Sequence, residues 1–508
     1  MQNKFIQEIT LNKKYFIFSL LLSIYIFLPQ FFAIKSIESV CFSLISISIL
    51  FFLSKINKLV FVLIGLATLL INSIVLHIVI HWGGGNLDAR LQTAVLSPTQ
   101  EAFEYLSTYI SWFDYFILLY LAAGLFLLYK FLMNHNHSYK LLKSTGLYLL
   151  LLLMIGLSSI NLIKNVTPFN YFLSLNQAYE WRPIVVERAN FLAKQERITY
   201  NKPLFYDKII IIMGESVNRN HMSIYNYPLN TTPFLDYLAN QPHGFVFDNV
   251  VAPTNQTRYS IPIMLTDATV EHFFDFITSK SLIGTFKEHG YKSYWFSNQY
   301  RKIKHDAYID TIMNEADIIK TVDSSTSQDN ANFDMALLEH FEKINISNNE
   351  KQIFFLHLLG SHTSYKKRYP ANQVLFPNPK NVIEEYDNSI YYTDTVLEKI
   401  FNKFKDKFLF IYLSDHGELI NINKNGHGFI PPYKDEYEIP LFIYSSDKND
   451  RLKELQEVNK NNIFNMESFN ELVKYIAGID DNKTKISNNA NVFAVDPTNI
   501  FNYKDLEK

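Results

Sequence analysis

The residues best suited to metal chemistry in this 508-residue sequence come directly after apolar runs. Glu215 follows one such run with a single glycine between, a position where the backbone can turn closely around a bound ion. Asp415 and His416 are adjacent at the end of another run. Taken alone, a glutamate after a strand is more often a surface or capping residue, and Asp–His pairs also occur as plain hydrogen-bonded pairs. Together the three favour a catalytic zinc site, because oxygen and nitrogen ligands without a thiolate are typical of one.

A candidate nucleophile lies in the segment 249-NVVAPTNQTRYSIPIML-265, which passes from a strand through a polar turn into a predicted helix. Thr257 stands near the start of that helix, where free N–H groups and the helix dipole favour a developing anion. A threonine hydroxyl is a poor nucleophile when free, and metal coordination would activate it for covalent catalysis. A helix-capping role suits Thr254 and Thr257 equally, and their spacing alone does not choose between them.

Two histidines in polar segments are further candidates for the site. His362 lies in 360-GSHTSYKKRYP-370 and His427 in 425-NGHGF-429. Histidine titrates near neutral pH, so each could protonate a leaving oxygen, donate to phosphate oxygens or bind a second metal ion. A lone histidine in a loop usually does none of these. His357, before the end of its strand, is interpreted as a packed or supporting residue.

Short apolar runs separated by helix-length segments predict the fold that positions these residues. Such runs are typical of a largely parallel sheet covered by helices, so we expect an α/β sandwich. In open α/β sheets the ligand site lies outside the carboxyl ends of the strands, which is where the candidate residues fall. The predicted strands are 208–213, 245–251, 292–296, 352–359, 408–413 and 439–444.

The N-terminal part of the chain has a different composition, dominated by Leu, Ile and Phe. A helix that crosses the hydrocarbon core needs roughly 20 mostly apolar residues. The sequence therefore predicts a five-helix transmembrane domain over residues 1–163. The five predicted spans are 15–34, 37–54, 59–80, 115–134 and 145–163.

Basic residues in the short loops predict the orientation of these spans. Cytoplasmic loops carry the excess of Lys and Arg. One side of the predicted domain holds Lys4, Lys13, Lys14, Lys55, Lys58, Lys130, Lys140 and Lys143, against Lys35 and Arg90 on the other. We therefore expect a cytoplasmic N-terminus, with the C-terminal domain and the loop 81–114 on the opposite face, the periplasm of a Gram-negative cell.

Residues 164–200 are predicted to bridge the two domains. Aromatic and basic residues alternate there with apolar ones, among them Trp181, Arg188 and Lys194. This pattern suits an amphipathic helix at the membrane surface, and equally an ordinary linker helix.

Charge and cysteine content exclude some classes of protein. The net charge is −2 and no Lys/Arg cluster of a polyanion-binding protein is present, so nucleic acid is not an expected partner. The single cysteine, Cys41, excludes an intrachain disulfide.

The motifs, in this order and behind five spans, resemble those of the phosphoethanolamine transferases that modify lipid A and lipopolysaccharide core, including the mobilised colistin resistance enzymes. These belong to the sulfatase and alkaline phosphatase superfamily, and the resemblance covers essentially the whole chain. It implies an α/β/α alkaline-phosphatase-like domain over 201–508, periplasmic and anchored in the bacterial inner membrane. It also implies a zinc cofactor, phosphatidylethanolamine as donor and lipopolysaccharide, at lipid A or a core sugar, as acceptor. We expect a monomer.

The resemblance also implies roles for individual residues. Glu215, Thr257, Asp415 and His416 match the family's zinc ligands, and Thr257 matches the residue that becomes phosphoethanolaminated. Pro262 matches the family's proline and favours Thr257 over Thr254. His362 and His427 match the substrate-side histidines. In 92-QTAVLSPTQEA-102, which is similar to a donor-binding segment, the polar positions are Thr93, Ser97 and Glu101.

Departures from the family pattern leave alternatives open. Thr93 stands where an Asn is usual, and Pro253 and Ile263 stand where the lipid A enzymes have cysteines flanking the nucleophile. Core heptose or another glycan therefore stays possible as acceptor. A phosphoglycerol transferase of the same superfamily is the alternative enzyme, and a sulfatase-like envelope protein without activity is the alternative outside enzymes. A sulfatase is disfavoured because 257-TRYSIP-262 does not fit the context of its nucleophile.

Overall fold

The structure is a computed structural model, and it falls into two compact units that are described separately. The first unit holds the helices up to Met133, and the second begins at the helix that starts with Trp181. The structure describes residues 14, 16–29, 37–82, 110–133, 181–196, 198–299, 307–322, 333–344, 346, 350–482 and 486–508.

Apolar helices form the described part of the first unit. They are α1 (Phe16–Pro29), α2 (Ile37–Ile56), α3 (Lys58–Trp82) and α4 (Trp112–Met133). By length and composition, α3 and α4 each contain a segment able to cross a membrane. The four helices cover most of the predicted spans 15–34, 37–54, 59–80 and 115–134, whereas the predicted span 145–163 lies outside the described residues.

Close packing joins α3 to α4. A Cβ atom added at Gly124 of α4 would lie 2.6 Å from the side chain of Leu69 in α3, so the glycine permits this approach. Small residues commonly allow such contacts between membrane helices. Buried polar groups add hydrogen bonds, since Asn72 Nδ2 and Tyr120 Oη both donate to the carbonyl of Ile26 at 2.7 Å.

A seven-stranded sheet organises the described part of the second unit. Its strand order is β2-β10-β7-β1-β6-β4-β5, with β7, β1, β6, β4 and β5 parallel and β10 antiparallel to β7. The strands are β1 (Lys208–Gly214), β2 (Gly244–Val246), β4 (Lys292–Ser297), β5 (Ile318–Thr321), β6 (Gln352–His357), β7 (Phe408–Ser414) and β10 (Leu441–Ser445). The predicted α/β fold with a mainly parallel sheet is confirmed.

Short strand pairs lie outside this sheet. They are β3 (Val250–Val251) with β11 (Phe464–Asn465), β8 (Leu419–Ile420) with β9 (Asn425–Gly426), and β12 (Asn491–Phe493) with β13 (Ile500–Asn502). The single strand predicted over 245–251 is therefore wrong: the chain divides it between β2 and β3, because the polar residues Asp248 and Asn249 interrupt it.

Helices cover both faces of the sheet. Side chains alternate along each buried strand, so Ile209 and Ile211 of β1 belong to one apolar core and Ile210 and Ile212 to the other. The helices of this unit are α5 (Trp181–Lys194), α6 (Pro233–Ala239), α7 (Thr257–Leu265), α8 (Leu282–Glu288), α9 (Ala307–Met313), α10 (Leu338–Glu342), α11 (Val382–Phe401), α12 (Asp450–Asn459) and α13 (Phe469–Ala477).

A buried arginine joins helix α5 to the rest of the second unit. Arg188 is fully buried, and its guanidinium donates to the carbonyl of Phe276 and, at 2.5 Å, to Glu315 Oε1. Of the predicted bridging segment 164–200, residues 164–180 and 197 lie outside the described residues.

The turn after β6 packs against Glu215 at the edge of the sheet. Both oxygens of the buried Asp334 accept backbone hydrogen bonds there, from Leu359 at 2.8 Å and from Gly360 at 2.9 Å. Gly360 has a φ of +54°, and a Cβ atom at this position would lie 2.7 Å from both N and O of Glu215. Glycine therefore sets the close approach of the β6 turn to Glu215.

We expect Gly360→Ala to lower the free energy of unfolding by about 2–4 kcal/mol, because it adds a clash with backbone to an unfavourable φ. Gly290→Ala is the matched control: its φ is +80°, but a Cβ there would meet nothing within 4 Å. Denaturant unfolding of the purified protein measures both. Equal losses in the two variants would contradict the close-approach argument.

Candidate metal centre and nucleophile

Two neighbouring parallel strands bring the candidate ligands together. Gly214 of β1 is in register with Ser414 of β7, so Glu215 and Asp415 follow the strands at the same edge of the sheet. His416 comes next. Glu215, Asp415 and His416 are at most 1% exposed, and their ligand atoms lie within 4.8 Å of one another. We call these three residues the carboxylate–histidine group.

Thr257 points its hydroxyl at this group. Its Oγ1 lies 3.0 Å from Glu215 Oε2 and 3.3 Å from His416 Nε2. Thr257 is the first residue of α7, as the sequence predicted for a helix start. Thr254 is fully buried and forms a β-bridge with Phe493. Of the two threonines that the spacing left open, the structure therefore brings Thr257 to the group.

The donor atoms of the group fit a metal ion. Asp415 Oδ2 is buried without a hydrogen-bond partner, and it lies 3.6 Å from His416 Nε2. Glu215 Oε1 lies 3.1 Å from the same nitrogen. His416 Nδ1 donates to the carbonyl of Gly417 at 2.8 Å, which leaves Nε2 as the ligand atom of this imidazole. Two carboxylates, one imidazole and a hydroxyl form an oxygen and nitrogen set of the kind that zinc takes in catalytic sites.

The negative charge of the two buried carboxylates in this group also favours a bound cation. Burial, and then the charge of Glu215, raise the pKa of Asp415 to about 6. Burial alone would lower the pKa of His416, but Asp415 and Glu215 outweigh it and raise that pKa to about 10. A proton on His416 thus supplies positive charge beside the two carboxylates, and a metal ion that displaced this proton from Nε2 would supply more of it.

A second set of side chains lies beside His416. His416, Glu418 and His427 could also hold a metal ion, since their ligand atoms lie within 4.8 Å of one another. His427 Nδ1 is 2.6 Å from Glu418 Oε2, and the rings of His416 and His427 are 4.2 Å apart. His362 is further out, with its ring 5.8 Å from that of His427. The structure therefore places both predicted histidines on one side of the carboxylate–histidine group.

Burial keeps these outer histidines neutral. Burial, followed by the neighbouring His416, lowers the pKa of His427 to about 3. Burial, followed by His427, lowers the pKa of His362 to about 4. His362 Nδ1 donates to the carbonyl of Thr363 at 2.8 Å, and Arg368 Nε donates to the carbonyl of His362 at 2.8 Å, which fixes this loop.

Several supporting residues were not predicted from the sequence. Gln299 Nε2 donates to Glu215 Oε2 at 3.2 Å and to the carbonyl of Leu358 at 2.7 Å. Glu418 accepts from Tyr365 Oη at 2.6 Å as well as facing His427. Gln299 follows β4, so its place after an apolar strand was a usable signal. Glu418 lies in the same short motif as Asp415.

Other predicted residues contribute differently. His357 is a buried residue of β6, with its ring 6.3 Å from that of Trp295. Thr93, Ser97 and Glu101, predicted to bind the donor head group, lie outside the described residues.

Known proteins share this domain. The family pattern described as Sulfatase matches residues 207–478, more than half of the chain. Phosphoethanolamine transferase EptC of Escherichia coli strain K12 is 31% identical over 261 residues, which are 47% of this chain and 45% of that protein. The Kdo(2)-lipid A phosphoethanolamine 7''-transferase of Salmonella typhimurium is 26% identical over 314 residues, 55% of this chain and 52% of that protein. The chain spans about half the length of these curated relatives.

Solved structures show the same fold. The C-terminal periplasmic domain of Escherichia coli EptC, in complex with Zn, superposes with a TM-score of 0.50 at 24% identity, covering 62% of this chain and 95% of that one. The integral membrane protein lipooligosaccharide phosphoethanolamine transferase A of Neisseria meningitidis superposes with a TM-score of 0.55 at 17% identity, covering 93% of this chain and 96% of that one. Because the Sulfatase pattern matches residues 207–478, which include Glu215, Thr257, Asp415 and His416, this chain belongs to the sulfatase family.

Proposed function

We propose that this protein is a phosphoethanolamine transferase that uses Thr257 as its nucleophile. The observation that carries the proposal is the Thr257 hydroxyl, 3.0 Å from Glu215 and 3.3 Å from His416, beside a buried carboxylate oxygen without a hydrogen-bond partner. The names of the relatives support the choice of transferred group. The donor in this proposal is phosphatidylethanolamine, and the acceptor is lipopolysaccharide, at lipid A or a core sugar.

The reaction proceeds in two displacements at phosphorus. Thr257 Oγ1 loses its proton and forms a bond to the donor's phosphorus, and the bond from phosphorus to the glycerol oxygen breaks; this oxygen takes up a proton from solvent, which releases diacylglycerol. An acceptor hydroxyl then loses its proton and attacks the phosphorus, the bond to Thr257 breaks, and the Thr257 oxygen regains a proton. Glu215 Oε2 accepts the hydrogen bond of the Thr257 hydroxyl, so this carboxylate lies where the departing proton must be received.

The chain's other groups position the phosphate. Thr257 begins α7, so the dipole of this helix favours the negative charge that develops there. His362 and His427 lie on the substrate side in this proposal. Because each ring is neutral and has Nδ1 directed at Thr363 or Glu418, its Nε2 is a hydrogen-bond acceptor, suited to the hydroxyl of the acceptor. Glu418 orients His427 through a 2.6 Å contact with its Nδ1.

Glu215, Thr257, Asp415 and His416 are the proposed zinc ligands. When bound, zinc would lower the pKa of the threonine hydroxyl and neutralise charge on the phosphoryl group. The related EptC periplasmic domain is a complex with Zn, which supports zinc as the metal ion in this proposal. Gln299 and the carbonyl of Gly417 hold Glu215 and His416 in place by hydrogen bonds, as outer-shell partners of metal ligands commonly do.

The membrane arrangement completes the proposal. Five helices over residues 1–163 anchor the protein in the bacterial inner membrane, with a cytoplasmic N-terminus and a periplasmic catalytic domain over 201–508, joined by residues 164–200. The apolar helices α3 and α4 and the 93% coverage by an integral membrane protein support this arrangement. Thr93, Ser97 and Glu101 are the proposed contacts to the donor head group, and the protein acts as a monomer.

The nucleophile is tested by intact-mass spectrometry after incubation with phosphatidylethanolamine. We expect the wild-type protein to gain the mass of one phosphoethanolamine. Thr257→Val, which keeps the side chain's shape but removes the hydroxyl, should gain none. Thr254→Val is the matched control and should behave as the wild type. An adduct in Thr257→Val would refute the assignment, and an adduct formed only from phosphatidylglycerol would identify a phosphoglycerol transferase instead.

The metal ligands are tested by the zinc content of the purified protein. Asp415→Asn removes a ligand charge, so we expect its zinc affinity to fall by at least about 10–100-fold, the loss typical of even an outer-shell change. Glu467→Gln is the control, because Glu467 is also buried but accepts hydrogen bonds from Val270 and Ser487 instead. Elemental analysis after dialysis measures the zinc content of both variants. Undiminished zinc in Asp415→Asn would remove Asp415 from the ligand set.

A further inference from the structure

The helices of the first unit carry a second group of metal-type side chains. His77 and His81 lie four residues apart on α3, so they share one face of the helix. Asp114 lies in the first turn of α4, which packs against α3. The ligand atoms of these three residues lie within 4.8 Å of one another. We call them the helix triad.

Asp114 bridges the two histidines. Its Oδ1 lies 2.6 Å from His77 Nδ1, and its Oδ2 lies 3.1 Å from His81 Nε2. The two imidazole rings are 4.4 Å apart. Two imidazole nitrogens and a carboxylate oxygen are therefore close enough together to bind one divalent transition-metal ion, which takes nitrogen and oxygen ligands of this kind.

A neighbouring residue holds the carboxylate in this position. Ser111 donates to Asp114 Oδ2 from its backbone N at 2.7 Å and from its hydroxyl at 3.1 Å. Such hydrogen bonds orient the carboxylate ligands of metal sites. Within the described residues, the ion pairs of Asp114 are with these two histidines only, and no Lys or Arg neutralises it.

Burial and location favour a bound ion over an isolated hydrogen-bonded cluster. The three side chains are 13–16% exposed, so they are largely withdrawn from water. They lie at the end of two helices long and apolar enough to cross a membrane, where ionisable residues are costly and are commonly functional. An ion would neutralise Asp114 and use both imidazole nitrogens.

We propose that His77, His81 and Asp114 bind a divalent transition-metal ion of the zinc class, at a site formed entirely by the first unit. The site is separate in its residues from the carboxylate–histidine group, and its existence does not depend on the proposed transferase function. Three protein ligands leave a position open for water or an anionic group.

Zinc stoichiometry of the full-length protein in detergent tests the proposal. We expect His81→Gln and Asp114→Asn each to lose one equivalent of zinc relative to the wild type. The same loss is expected when they are combined with Asp415→Asn, which separates this ion from the catalytic one. His272→Gln, at an exposed histidine, is the control and should keep the wild-type content. Unchanged zinc in folded His81→Gln and Asp114→Asn would overturn the proposal.

A second measurement needs no variant. Diethyl pyrocarbonate modifies accessible imidazole nitrogens, and mass spectrometry of peptides identifies which histidines react. Zinc added to metal-stripped wild-type protein should protect His77 and His81 and leave His272 reactive. Equal modification of His77 and His81 with and without zinc would overturn the proposal, even if the variants proved unstable.

Discussion

Two carboxylates, Glu215 and Asp415, are buried side by side at the carboxyl edge of the sheet, and two such charges are unfavourable there without positive charge beside them. His416 supplies part of that charge, which is why its pKa rises to about 10 despite burial. The Thr257 hydroxyl lies 3.0 Å from Glu215 Oε2, so a cation held by the two carboxylates would contact it, and burial keeps the neighbouring His362 and His427 neutral.

Strand ends and a closely packed turn hold the two carboxylates in place. Parallel pairing places Glu215 and Asp415 at the ends of neighbouring strands, and Gly360 packs closely against the backbone of Glu215. Asp334 holds the Gly360 turn through backbone hydrogen bonds, so a buried carboxylate outside the ligand set supports those inside it. Gln299 adds a side-chain contact to Glu215 from a third strand end. Thr257 lies instead at the start of helix α7, whose dipole favours negative charge at this position.

The sequence predicted the central strands well because buried parallel strands read as continuous apolar runs, and β1, β6 and β7 are such runs. Glu215, Asp415 and His416 were identified as candidates because they come directly after two of these runs. Strand β5 was missed because its residues are only partly buried and form no apolar run of that kind. The choice between Thr254 and Thr257 could not come from spacing, since it depends on which hydroxyl the packing of β3 and α7 turns towards Glu215. Gln299 follows an apolar strand, which was a usable signal, but its contact with Glu215 joins residues far apart in sequence and could not be predicted from spacing. The contact of Glu418 with Tyr365 is likewise made between segments far apart in sequence.

Anomalous diffraction at the zinc absorption edge, from crystals of the full-length protein, would show directly whether zinc lies beside Glu215 and Asp415. We expect an anomalous peak at about 2.0–2.2 Å from ligand oxygens and nitrogens of Glu215, Thr257, Asp415 and His416. A peak bound by His427 and Glu418 without contact to Glu215, or no peak at this edge of the sheet in zinc-loaded crystals, would contradict it.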